Sequence, residues 1–272
     1  MQLIDFDAKF EEMFTKWMTE NETKYTPEQM EDEMPVLYSK FLNTSMDWLE
    51  GITPLAYFEQ FSDSSMLIKK LDEYCMSEIS VPDLLLDRLE TLANEECIME
   101  LVTSDTASLE ARMHAINLLR NLESTLPLVL YLRWQVERNL PEELLENSLD
   151  SLCSMGEFAK KPARIAFRAA DLQGKQALLD ILCTPEEKDE EIFNFTLNQF
   201  KKSPENYALY AAYLAKFDND RALEALLEVA ESTNVSYIDF IEIRSSIERL
   251  GGEAPIRDFS KDPTYRAVHR LQ

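Results

Sequence analysis

Apolar residues recur along this chain in steps of three and four, the period of a helix that buries one face. The clearest stripe is Leu109, Met113, Ile116 and Leu119, widened by Ala115, Leu118 and Leu122; it predicts a helix over about 107–122. The same spacing predicts a helix over 3–19 from Phe6, Phe10, Met13, Phe14 and Trp17, and another from Pro27 through Met30, Met34, Leu37 and Phe41. Further helices are expected from Pro82 and Pro141, and over 162–172, 175–183, 186–201, 221–231 and 236–250. The segment Leu128-Val129-Leu130-Tyr131-Leu132 is apolar on every side, which predicts a helix covered on more than one face. Breakers punctuate the pattern: Thr26-Pro27 as cap and first helical residue, Pro35 as a kink or a restart, Gly156 as a stop, and Gly251-Gly252 as an end.

The pattern repeats at a longer period. Ala177-Leu178 and Ile181-Leu182 match Ala222-Leu223 and Leu226-Leu227 in type and spacing, 45 residues on. Leu128, Tyr131 and Leu132 fall where Leu223, Leu226 and Leu227 fall, 95 residues earlier. Periods of this size mark helical units that bury their apolar faces against one another. The expected fold is therefore all-α: a right-handed α-solenoid of antiparallel helix pairs. The expected divisions are an irregular helical region over 1–80, a repeat domain over 81–255 and a C-terminal tail over 256–272.

Two segments carry a family resemblance. Leu109-Glu110-Ala111-Arg112 with Ala115-Ile116 and Leu118-Leu119 resembles the first helix of a HEAT repeat. Phe217-Asp218-Asn219-Asp220-Arg221-Ala222-Leu223 is similar to the turn and second helix of such repeats. The resemblance spans roughly 82–250, is degenerate, and implies an armadillo/HEAT-type repeat protein. That family includes scaffolds, adaptors, transport receptors, bilin-lyase-like proteins and a DNA-glycosylase branch, so fold alone is a weak guide to chemistry. Trp48-Leu49-Glu50-Gly51-Ile52-Thr53-Pro54 faintly resembles a segment of bacterial antitoxin-like helical domains.

Charge narrows the partners. The formal net charge is −24, a field that repels nucleic acid and anionic membranes and attracts basic proteins or peptides. Four cysteines, at 75, 97, 153 and 183, form no C-x-x-C pair and read as reduced, mostly buried thiols of a cytosolic protein. The first residues lack the basic and apolar regions of a signal peptide, and no apolar run reaches the ~18 residues of a bilayer span.

Little in the sequence points to catalysis. His114 and His269 lack an H-x-x-x-H partner or a neighbouring cysteine, and the isolated glycines form no phosphate loop. The run Glu186-Glu187-Lys188-Asp189-Glu190-Glu191 reads as a solvated helix start favoured by the macrodipole. One constellation stands apart from the acidic background: Lys160, Lys161, Arg164 and Arg168, with Arg112, Arg133 and Trp134 in the preceding unit. Arginines beside an aromatic residue can grip an acidic peptide, a phosphate group or a nucleic-acid backbone, or pair with local acids such as Glu110, Glu137 and Asp171. The expected molecule is a monomeric, non-catalytic protein-binding scaffold without metal or cofactor, contacting its partner through Arg112, Arg133, Trp134, Arg164 and Arg168. The alternative is a nucleic-acid-processing enzyme like the glycosylase branch, which the charge disfavours.

Overall fold

The computed structural model describes residues 3–184 and 189–270. The stretch carrying Glu186, Glu187 and Lys188, and the side chain of His269, lie outside the described residues. Within them the chain is all-helical, with no strand. The helices are α1 (Phe6–Asn21), α2 (Pro27–Leu42), α3 (Pro54–Tyr57), α4 (Ser64–Met76), α5 (Asp83–Leu92), α6 (Glu95–Thr103), α7 (Leu109–Asn121) and α8 (Leu128–Glu137). They continue as α9 (Glu142–Ser154), α10 (Glu157–Ala169), α11 (Leu172–Leu182), α12 (Glu190–Lys202), α13 (Tyr207–Leu214), α14 (Asp220–Glu231), α15 (Tyr237–Arg249) and α16 (Pro263–Arg270). No helix among the described residues is long and apolar enough to cross a membrane.

Local chemistry sets where helices start and stop. Thr26 and Gln29 form a reciprocal capping box before Pro27. Asp63 accepts from the amides of Ser65 and Met66, Ser108 from Ala111, and Asp171 from Gly174. Each such cap satisfies a donor that the first helical turn leaves orphaned, worth ~1 kcal/mol. The ends are less conventional. Glu50, Glu78, Ala93, Glu123, Arg138 and Asp218 all adopt positive φ, between 45° and 55°. Helices usually reserve that left-handed exit for glycine, and this chain has only five glycines to place there.

The chain forms two compact units. The first comprises Met1–Tyr131 with Asn139–Met155, the second Leu132–Arg138 with Gly156–Gln272. In the first, Phe6 packs among Trp48, Tyr57 and Phe58, and Phe10 packs against Tyr38 and Phe41. The Tyr74 hydroxyl donates to the Ile4 carbonyl and accepts from the Ile4 amide, both at 3.0 Å, and so ties α4 to the N-terminal residues. Helix α4 also packs on α5, α6 and α7, so residues on both sides of position 80 share one core. Adjacent helices pair here (α4 with α5, α6 with α7), and alternate ones stack: α4 on α6, α5 on α7, α7 on α9.

The second unit follows the same rule. Helices α10 and α11, α12 and α13, and α14 and α15 pair; α12 stacks on α14 and α13 on α15. Residues 256–272 include α16, which packs on α15. The ring of Tyr265 meets Tyr237 edge-on at 5.0 Å, and Phe259 meets Phe240 at 4.9 Å.

The sequence period has a structural counterpart at one position of each copy. Tyr131, Ile181 and Leu226 are all buried, while the flanking residues differ in exposure. Two expectations need correction. Val129 is 77% exposed, so α8 is not covered all round: its first turn presents that side to solvent while Tyr131 and Leu132 are buried. Pro35 lies within an unbroken α2, so the helix does not restart there; Pro35 is exposed, and water can solvate the carbonyl that loses its amide partner.

Gly174 offers a test of packing in the second unit. A Cβ there would lie 2.6 Å from the Gln135 carbonyl oxygen and 3.0 Å from the Ala170 Cβ. Helix propensity alone favours alanine over glycine by about 1 kcal/mol. The clash should reverse that sign, and Gly174→Ala is expected to destabilise by about 1–3 kcal/mol. A urea titration with a wild-type or raised midpoint for this variant would contradict the packing described.

Candidate functional site

Helix α10 carries the basic constellation, and its sequence divides it into two faces. Ala159, Lys160, Ala163 and Phe167 are buried. Phe158, Lys161, Ile165, Arg168 and Ala169 recur at steps of three and four on the other side and are exposed, Phe158 at 71% and Ile165 at 66%. Lys160 pairs with Glu157 one turn back at 2.5 Å. The two arginines reach the start of α12. Arg164 Nε lies 2.5 Å from Asp189, and Arg168 engages both oxygens of Glu191 through Nε, with Nη2 on Oε2 at 2.7 Å. Asp189 is itself the cap of α12, accepting from the amides of Glu191 and Ile192. The pairing acids are therefore those of a helix N-terminus, where the macrodipole already favours negative charge. Asp171 serves elsewhere, as the cap of α11.

The other residues expected to contact a partner are placed differently. Arg112 is half-buried and donates through Nε to the Val102 carbonyl at 3.0 Å, closing the turn between α6 and α7. Burial lowers its pKa, and Asp105 partly offsets this. Trp134 is only 7% exposed, which leaves no open indole face for stacking. Arg133 is exposed. The structure thus joins Arg164 and Arg168 on one surface, while Arg112 and Trp134 are occupied in packing.

A second cluster sits in the first unit. Cys75 on α4 and Glu110 and His114 on α7 bring their Sγ, carboxylate and imidazole atoms within 4.8 Å of one another. Glu110 and His114 are four residues apart and so share a helix face. Asp72 holds the two helices in register by accepting from both the amide and the hydroxyl of Ser108, each at 2.9 Å. Burial pushes the Cys75 thiol up to about 11, with Glu110 adding to the rise and Ser108 opposing it. Burial also lowers the His114 pKa, against the pull of Glu110 and Asp83. The Glu-x-x-x-His spacing was visible in the sequence; Cys75, on a different helix, gave no local signal.

The four cysteines are not equivalent. Cys183 is buried and its thiol is pushed up to about 12, whereas Cys153 is exposed.

No family model, curated protein or solved structure matches this chain. The functional reading therefore rests on the residues themselves.

Two outcomes test this geometry. Asp189→Ala removes the α12 cap and should cost about 1 kcal/mol, whereas Arg168→Ala, at an exposed pair, should leave the urea midpoint unchanged. With an aromatic disulfide reagent at neutral pH, Cys153 should react first and Cys183 only after denaturation; early labelling of Cys183, mapped by mass spectrometry, would contradict the burial described.

Proposed function

We propose that this chain is a non-catalytic, cytosolic protein-binding scaffold built from HEAT-like helix pairs, acting as a monomer. The pairing of adjacent helices and stacking of alternate ones, seen within each unit, supports the solenoid reading. The single observation that carries the binding reading is the open face of α10. Phe158 and Ile165 stand in water there, in line with Lys161 and Arg168, on a chain whose net charge is −24. Large apolar side chains left exposed forgo about 1.5–3 kcal/mol each of burial energy, which a docking partner recovers.

The partner this face fits is an amphipathic helix with acidic residues beside its apolar stripe. Its apolar side would cover Phe158 and Ile165. Its carboxylates would take over Arg164 and Arg168 from Asp189 and Glu191, exchanging one set of ion pairs for another. Charge of that kind governs the rate and orientation of docking more than its strength. Arg133, also exposed, belongs to the same proposed contact set; Arg112 and Trp134 contribute by holding their helices.

The test compares variants on tagged full-length chain. A partner should be retained by wild type and by Val129→Asp, an exposed apolar site on another helix, and lost with Phe158→Asp and Ile165→Asp. With the purified partner, Ile165→Asp should weaken binding by about tenfold or more, and wild-type affinity should fall as salt rises. Equal retention of the partner by all four proteins would remove the reading. Duplex DNA at low salt should give no anisotropy change; salt-sensitive DNA binding would instead favour the nucleic-acid-processing alternative.

A further inference from the structure

We infer that Cys75, Glu110 and His114 form a binding site for a borderline-soft divalent metal ion, with zinc the expected occupant. Three different donor types converge: a sulfur, a carboxylate oxygen and an imidazole nitrogen, all within 4.8 Å. A tetrahedral zinc with bonds of about 2.0–2.3 Å holds its ligand atoms about 3.4–3.8 Å apart. Closing the cluster onto an ion therefore needs an inward shift of roughly an ångström shared among three side chains, within reach of small torsional changes and without helix movement.

The donor set selects the metal class. A thiolate has little affinity for the hard ions calcium and magnesium, which prefer all-oxygen shells. Sulfur with imidazole and carboxylate suits zinc, whose filled d shell imposes no geometry of its own. Three protein ligands leave the fourth position for water. The burial gradient gives that position a direction: Cys75 is buried, His114 half-buried and Glu110 exposed, so the ion would be approached from the Glu110 side.

The framework is prepared for such a site. Two donors come from one face of α7, the third from α4, and α4 packs directly on α7. The Asp72 carboxylate clamps the Ser108 cap of α7 and fixes the register of the two helices at the cluster. Binding converts the Cys75 thiol to a thiolate, with the proton released to solvent.

The probe is cobalt(II) titrated into full-length, chelator-treated protein, followed by absorbance. Wild type should show a thiolate-to-cobalt charge-transfer band in the near ultraviolet and intense ligand-field bands in the red, the mark of four-coordination, both abolished by stoichiometric zinc. Cys75→Ser should remove the charge-transfer band. His114→Gln and Glu110→Gln should each weaken binding by more than about tenfold. Cys97→Ser and Cys153→Ser, at thiols outside the cluster, should leave the spectrum unchanged. Circular dichroism checks that each variant is folded; if Cys75→Ser is not, the two α7 variants decide the matter. Absence of the bands in wild type, their persistence in Cys75→Ser, or wild-type affinity in both α7 variants would overturn the assignment.

Discussion

Helices of four to sixteen residues cannot stand alone in water, because nucleation is costly and their internal hydrogen bonds give little net return. Every helix here depends on neighbours close enough to cover its apolar stripe. Small side chains at the contact faces provide that closeness. Ala111 and Ala115 on α7, Ala159 and Ala163 on α10, and Ala211 and Ala215 at α13 sit four residues apart and are nearly or fully buried. A methyl group at successive turns of one face lets the helix axes approach to the near end of the usual 8–10 Å. Larger residues beside them, such as Ile116, Phe167 and Leu214, then fill the flanks. The placement of alanine sets the spacing, and the spacing determines which residues are covered.

That dependence explains why much of the fold was legible. Stripes with a three-and-four step gave α7, α9, α12 and α15 to within a few residues, and capping chemistry fixed Thr26 as a start. The errors have a common physical source. A helix is expected over 162–172, yet α10 begins at Glu157, directly after Gly156 at a φ of 55°, and runs through Pro162. The carbonyl that Pro162 leaves without an amide partner belongs to Phe158, on the exposed side, where water can serve it. A breaker ends a helix only where the freed backbone group has nowhere to turn, and local sequence does not say which side faces water.

The site residues show the same limit from another direction. The basic character of α10 could be read directly, because Lys160, Arg164 and Arg168 are spaced by the helix itself. Their partners could not: Asp189 and Glu191 are brought to them by the packing of the second unit, about twenty-five residues further along the chain. Cys75 and His114 are 39 residues apart in the chain, and only the packing of α4 on α7 joins them. Chemistry written within one helix is visible in sequence; chemistry assembled across two helices waits for the tertiary fold.

The six side-chain-bearing residues in left-handed backbone geometry have an evolutionary corollary. Each occupies a conformation that disfavours a Cβ by about 1 kcal/mol relative to glycine. Five of the six are charged and reside in connecting segments, so their side chains add solubility where glycine would add ease of bending. The architecture is held together in spite of its corners. Substitution drift therefore has an open road to a hardier form of this molecule, one corner at a time, except at Arg138, whose guanidinium donates to the buried Gln135.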